Sequence, residues 1–349
     1  MDRADLLRRL EDGEVIMRED LRALDLSGMD LSGGAFEHVR FCGEQLAGVD
    51  LTEATFIGCD LVGCSFARSQ LKQVTFARCD VRNSRFDGAD LTLTTFVESD
   101  LSGANFAGMA LPASMFGNCD LSRATFAGSK LDRVRMFGGT YDELNLAGAE
   151  LHVFQTFEAD LRTVVLTGAR LSQCMLVKVN LAGRDLSEIH ATFCQFNDSA
   201  LSGIKFSRAT MHNAGFKGAD LRGACFEGAN VKNSVFFQAK LAEARFDSAD
   251  LTQSIFRESD ARDADFSGAL LYQANFSGAS CARSKFVRAD LTYAEFPHAD
   301  VTQADFSHAK LFRARFHKTL EGGAVFSDRT LALGNDAVLA KAEDFQRGG

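Results

Sequence analysis

The chain has 349 residues and a net charge of −9, with 38 Lys and Arg against 47 Asp and Glu. This acidic balance argues against a general nucleic-acid binder, which needs a basic face, and a hydrophobic content of 46% excludes a largely disordered chain. The chain contains 31 Phe but 3 Tyr, 2 Pro and no Trp. We therefore expect a repetitive core in which Phe fills the same kind of position many times.

We expect neither a membrane span nor an export signal. The sequence contains no apolar run long enough for a membrane helix, and its first residues include no apolar stretch of signal-peptide length. The 9 Cys lack the spacing of a disulfide framework, which favours reduced thiols and a cytoplasmic location. Within 1–20, Leu6, Leu7 and Leu10 share one helical face before Gly13, which predicts a short N-terminal helical cap.

A five-residue repeat follows this cap. From Leu21 to Phe316, 50 of the 60 positions whose number ends in 1 or 6 are Leu or Phe. We call this position the centre of the repeat. The residue two before the centre is usually small, and the residue just before it is often Asp or Asn, as in Ala89-Asp90-Leu91.

A period of five matches neither a helix nor a strand, so every unit must contain a turn. Short extended pieces joined by tight turns can coil and stack at the strand spacing of about 4.8 Å. One large and one small residue of each unit would then point inward, while the other three face solvent.

These units resemble the pentapeptide-repeat family, whose fold is a right-handed quadrilateral parallel β-helix with four pentapeptides per coil. The resemblance implies an all-β protein of about 15 coils over 21–326, with short terminal helices as caps. It also implies a bacterial protein that is not an enzyme. Centres ending in 6 are mostly Phe and those ending in 1 mostly Leu, so Phe and Leu ladders should alternate around the core.

The repeat is irregular between Leu131 and Phe196. Phe leaves the centre positions there, Thr156 occupies one centre, and Arg184 stands where a small inward residue belongs. One interpretation is a repacked core in which Phe154 fills the space beside Thr156. The other is an apolar surface patch for a partner. The candidate partner-binding residues are Met136, Phe137, Tyr141, Phe154, Phe157, Arg184 and Phe193.

A second candidate feature is a column of acidic residues just before the centres. Its members stand one or more whole coils apart and are Asp60, Asp80, Asp100, Asp120, Asp160 and Asp220. Some pentapeptide-repeat proteins mimic duplex DNA and protect type II topoisomerases such as gyrase from quinolones or toxins. The alternative is that these Asp side chains bond to turn backbone. A net charge of about −5 over 21–326 is far below the roughly 40 charges of duplex DNA of that length.

Cofactor chemistry is not indicated elsewhere. Six Cys, among them Cys59 and Cys64, occupy the small inward position, where a thiol acts as a slightly larger Ala. The seven His occupy neither inward position, so we expect them on the surface, with no metal and no cofactor.

The segment 327–349 predicts a C-terminal helix. Asn335 or Asp336 would cap it, and Val338, Leu339, Ala342 and Phe345 would form one stripe. That helix would cap the β-helix or make a homodimer contact, as in some family members.

We therefore expect a non-enzymatic scaffold or adaptor that binds another protein, with no direct nucleic-acid or membrane binding. The N-terminal helix and the repeats after it are similar to pentapeptide-repeat proteins that accompany type VI secretion components. That similarity implies an adaptor for effector or spike proteins. The alternative function is DNA mimicry toward gyrase.

Overall fold

The structure is a computed structural model that describes the backbone of residues 1–347 and the side chains of residues 1–344. The chain divides into two units, Met1–Met175 and Leu176–Gly349. In both units equivalent residues of successive coils pair in parallel, as Phe56 does with Phe76 and Val235 with Ile255. Four pentapeptides thus make one coil, which confirms the predicted all-β parallel β-helix. A single domain over 21–326 stays a prediction.

Regular elements are short because each pentapeptide contains a turn. In chain order they are α1 (Arg3–Glu11), β1 (Ile16–Met17), β2 (Ala35–Glu37), a 3₁₀ turn (Gly43–Leu46), β3 (Thr55–Ile57), β4 (Thr75–Ala77), β5 (Thr95–Val97), β6 (Met115–Gly117), β7 (Lys130–Asp132), β8 (Arg135–Phe137), β9 (Glu150–His152), β10 (Gln155–Phe157), β11 (Arg170–Ser172), β12 (Met175–Val177), β13 (His190–Thr192), β14 (Asp305–Phe306), β15 (Val325–Phe326) and α2 (Ala337–Arg347). In the first unit, β1 to β6, β8 and β10 stack in that order as one parallel sheet.

The turns place the residue two after nearly every centre in the left-handed region, where Gly carries no steric penalty. Many non-Gly residues also adopt it, such as Glu53 with φ of 61°. Glycine is also required at Gly139, which stands two residues before the centre Tyr141 and has φ of 73°. A Cβ there would overlap the carbonyl oxygen of Cys119. A larger residue at this position would therefore force the adjoining coils apart.

Phenylalanine ladders fill the core as predicted. In the first unit, the rings from Phe36 to Phe116 stack with centroids 4.8–5.2 Å apart. A second ladder runs from Phe66 to Phe126 and meets the first edge to face. Such offset and edge-to-face contacts each add about 0.5–1.5 kcal/mol beyond burial of the rings. The second unit repeats the arrangement, as between Phe236 and Phe246 at 5.6 Å.

Both predicted terminal helices are present. Asp2 caps α1 by accepting a hydrogen bond from the Asp5 amide at 2.8 Å, and Leu6 is buried. The Asp336 carboxylate caps α2 through the amides of Val338 and Leu339, both at 3.0 Å. Neither helix within residues 1–347 has the length and apolar character required to cross a membrane.

The predicted apolar stripe of α2 does not cover the core. Val338 is 81% exposed, and Leu339 and Ala342 are also exposed, while the side chain of Phe345 lies outside the described residues. Instead the Arg329 guanidinium lies over the last rings of the ladders, 4.9 Å from Phe316 and 5.1 Å from Phe326. A cation over an aromatic face shields it from water and is attracted to it.

Candidate functional site

The irregular region contains both the repacked core and an exposed patch. Phe154 is 3% exposed and lies in the core with Met136, Thr156 and Tyr141. The Tyr141 hydroxyl donates to the carbonyl oxygen of Gly138 at 2.6 Å, and burial raises the pKa of Tyr141 to about 12. Aromatic rings on other inward positions thus accompany the small Thr156 side chain. Met136, Tyr141 and Phe154 cannot contact a partner, because they are buried.

Phe137 and Phe157 instead face outward, 38% and 37% exposed, on the paired strands β8 and β10. They belong to a column of outward apolar residues that crosses successive strands of the same sheet. We call this column the apolar strip; it comprises Ile57, Ala77, Val97, Gly117, Phe137 and Phe157. The sequence carries the signal for this column, since its residues recur once per coil at the position just after the centre.

Contacts within the apolar strip are close. A Cβ on Gly117 would lie 2.9 Å from Cζ of Phe137, so the Phe137 ring packs against the Gly117 backbone. Arg135 stands two residues before Phe137 on the same strand and is exposed. The strip therefore combines apolar surface with a guanidinium group at its edge.

The remaining two predicted partner-binding residues belong to the second unit. Phe193 is exposed and packs edge to face against His212, with ring centroids 5.4 Å apart. Arg184 is half-buried at the small inward position of its pentapeptide. Of the seven predicted residues, the structure places only Phe137 and Phe157 side by side on one surface.

The acidic column serves the turns. Each of its six carboxylates accepts a hydrogen bond from the backbone amide two residues later, as Asp100 does from Ser102 at 2.9 Å. Arg82 also pairs with Asp80 at 2.6 Å and lowers the pKa of that carboxyl. Arg162 and Arg222 do the same for Asp160 and Asp220. Much of the acidic charge is therefore neutralised locally.

Within the described residues the nine Cys form no disulfide bond, and most of them are buried. Burial raises the pKa of the Cys64 thiol to about 12 and that of Cys119 to about 11. A thiol with a raised pKa is neutral at pH 7, and it is a poor nucleophile and a poor metal ligand. These Cys act as core residues, as predicted.

One cluster corrects the prediction that all His lie on the surface. His317 is 1% exposed and shares the Glu343 carboxylate of α2 with His298. Nε2 of His298 lies 3.2 Å from Glu343 Oε1, and Nε2 of His317 lies 3.4 Å from Glu343 Oε2. The position of His317 could not be read from the repeat, because its environment is created by the end of the chain.

Among the residues that the structure describes, His298, His317 and Glu343 form the group whose ligand atoms lie close enough together to hold a metal ion. The hydrogen bonds around these residues argue against a bound metal ion. Nδ1 of His317 accepts a hydrogen bond from the Asp336 amide at 3.1 Å, so the proton of a neutral ring lies on Nε2, where a metal would bind. The Lys318 ammonium also lies 3.1 Å from Glu343 Oε2 and would repel a cation. The arrangement is suited to holding a carboxylate.

Comparison with known proteins gives the family. The family model described as "Pentapeptide repeat region" matches residues 25–106, and "Pentapeptide repeats (8 copies)" matches 194–233, 234–273 and 269–307. The chain belongs to the pentapeptide-repeat family. This confirms the resemblance inferred from the sequence, and the family's repeat accounts for the coils of both units.

Several solved structures of pentapeptide-repeat proteins are similar to this chain. QnrB1, a plasmid-mediated fluoroquinolone resistance protein, is 18% identical, with 70% of this chain and 100% of that chain covered and a TM-score of 0.28. HetL, involved in heterocyst differentiation regulation in the cyanobacterium Nostoc sp. strain PCC 7120, is 20% identical, with 90% and 96% covered and a TM-score of 0.19. A protein of the Arabidopsis thaliana thylakoid lumen is 29% identical, with 37% and 69% covered and a TM-score of 0.12. No curated protein matches the chain.

Proposed function

We propose that this pentapeptide-repeat protein is a non-enzymatic scaffold that binds another protein through the apolar strip. The observation that carries this proposal is the exposure of Phe137 and Phe157 side by side on paired strands. Exposed contiguous apolar surface is a typical mark of a protein-binding site. Rings held on a rigid sheet lose little conformational entropy when a partner covers them.

The finer roles predicted from the sequence are not needed for this proposal. An adaptor for secretion-system effector or spike proteins stays a prediction from the resemblance. DNA mimicry toward gyrase also stays a prediction, and the pairing of Asp80, Asp160 and Asp220 with arginines weakens it. The apolar strip favours a partner with an apolar contact surface.

The test is quantitative affinity capture from lysate of the source organism with the full chain. The Phe137→Ser, Phe157→Ser double variant should recover the partner about ten-fold less well than the unmodified chain, a loss of about 1.4 kcal/mol in binding. A matched control changes Tyr272 and Phe312, which are exposed aromatic residues of the second unit, to Ser. Equal recovery by the strip variant and the control would refute the proposal.

We also propose self-association through the C-terminal end of the second unit. Large aliphatic side chains are exposed there on consecutive segments, namely Leu320, Val325, Leu331, Leu333 and Val338. Covering them in a homodimer would remove apolar surface from water, which stabilises association by about 25 cal/mol per Å² before its entropic cost.

A further inference from the structure

Three cationic or imidazole groups converge beneath helix α2 in the second unit. We call His298, His317 and Lys318 the basic triad. His317 is 1% exposed, and its ring lies edge to face with that of His298 at 5.6 Å. The Asp336 amide fixes the orientation of the His317 ring through Nδ1, so that Nε2–H points toward α2. The residue that caps α2 therefore also sets the orientation of the His317 ring.

The ligand of the basic triad is supplied by the chain itself. Nε2 of both histidines and the Lys318 ammonium bond to the Glu343 carboxylate, at 3.2, 3.4 and 3.1 Å. Lys318 also donates to Asp344 Oδ1 at 2.8 Å and to the Ala340 carbonyl oxygen at 3.5 Å. Desolvation of the carboxyl raises the pKa of Glu343. Hydrogen bonds from His298, Lys318 and His317 outweigh this effect and lower the pKa to about 2. The bound group is thus a pair of consecutive acidic residues.

Within residues 337–344, whose side chains the structure describes, polar contacts and little apolar burial hold α2 on the coils. Val338 and Leu339 are exposed, whereas Glu343 and Asp344 make the histidine hydrogen bonds and the Lys318 ion pairs just described. Ion pairs that water can reach contribute little to stability and weaken further with salt. Another acidic segment can therefore replace this one without disrupting the hydrophobic core.

We propose that the basic triad is a carboxylate-binding site, occupied in the free protein by Glu343 and Asp344, from which an acidic segment of a partner protein displaces α2. The proposal rests on the proposed scaffold function only for the statement that the ligand is part of a protein. Because the tethered residues compete at an effective concentration in the mM range, a single free carboxylate displaces them poorly. The ligand is a segment with at least two consecutive acidic residues.

The test uses the full chain and a short synthetic peptide with a central Glu-Asp pair, with the Gln-Asn peptide as its control. The variant that carries Glu343→Gln and Asp344→Asn frees the basic triad. By calorimetry it should bind the acidic peptide at least about ten-fold more tightly than the unmodified chain. Neither protein should bind the control peptide.

Further substitutions in the freed variant locate the binding. Adding His298→Gln or His317→Gln should weaken peptide binding about ten-fold or more, whereas adding His308→Gln, an exposed His of the same unit, should leave it unchanged. His298 is half-exposed, so its variant tests the site even if His317→Gln perturbs folding. The proposal is overturned if the freed variant binds no more tightly than the unmodified chain, or if His298→Gln has no effect. Because this assay does not involve Phe137 or Phe157, its outcome is independent of that for the apolar strip.

Discussion

Single positions of the pentapeptide decide whether a side chain enters the core or faces outward. Phe154 occupies the small inward position and is 3% exposed, whereas Phe157, one residue after a centre, is 37% exposed. The two residues have the same side chain and lie three positions apart in the chain. Their exposure differs because they occupy different positions of the pentapeptide. A mutation at each should therefore separate packing from partner binding.

We predict that Phe154→Ala lowers the free energy of unfolding by about 3–5 kcal/mol, the usual cost of replacing a buried Phe by Ala. Phe157→Ala should cost far less, because its ring already contacts water and can leave without creating a cavity. Urea unfolding followed by circular dichroism measures both variants. Equal losses would show that Phe154 is not a core residue.

At the scale of elements, the turns depend on Asp side chains that bond forward along the chain. In Asp80, Asp160, Asp220 and Asp260 the hydrogen bond from the arginine two residues later is the main factor that lowers the carboxyl pKa. Three of them, Asp80, Asp160 and Asp220, belong to the acidic column, and they close the turns and pair with nearby arginines. The charge of each carboxylate is therefore balanced by the arginine two residues later in the same turn.

These shifts predict the direction of the pH dependence. A carboxyl with a lowered folded-state pKa stabilises the fold above its unfolded value of about 3.9, and this stabilisation is lost as the pH falls below that value. The thermal unfolding midpoint should therefore drop between about pH 5 and pH 2.

The fourfold variant of Asp80, Asp160, Asp220 and Asp260 to Asn is the control for this dependence. Asn keeps a side-chain oxygen for the turn amide but has no carboxyl to titrate. Differential scanning calorimetry should show a smaller drop in the midpoint on acidification for this variant. An identical drop would assign the acid sensitivity to other groups.

At the scale of the whole molecule, many charges form local ion pairs, and two of the exposed apolar surfaces bear on the proposed function. The apolar strip lies on the first unit and the exposed aliphatic residues lie at the C-terminal end of the second. Both are surfaces that a monomer in water would leave unfavourably hydrated. The proposed function gives the first surface to a protein partner and the second to self-association, and both remain proposals.

We predict a homodimer that dissociates when charge is introduced at this end. Leu331→Glu with Val338→Glu should convert the dimer to a monomer, because association would bury two unpaired carboxylates. Size-exclusion chromatography with light scattering measures the mass. Leu93→Glu, an exposed Leu of the first unit, is the matched control and should remain dimeric. A monomeric unmodified chain would refute this prediction.

The sequence by itself determined the parallel coil, the pairing of each residue with its equivalent one coil away, the Phe ladders and the terminal helices. It could do so because each of these depends on residues at fixed spacing along the chain, and stacking of identical units converts that spacing directly into contacts. It also carried the spacing of the apolar strip, since the residues from Ile57 to Phe157 recur once per coil.

Only the tertiary structure decided which residues of the irregular region are buried and what surrounds His317. Tyr141 and Phe154 stand at inward positions of the repeat, but only the structure shows that the core has room for both rings, since both are buried. His317 meets Glu343 because α2 folds back onto the coils after the chain has left the last pentapeptides. A local period cannot predict such a contact, since it depends on where the chain goes after the repeat has ended.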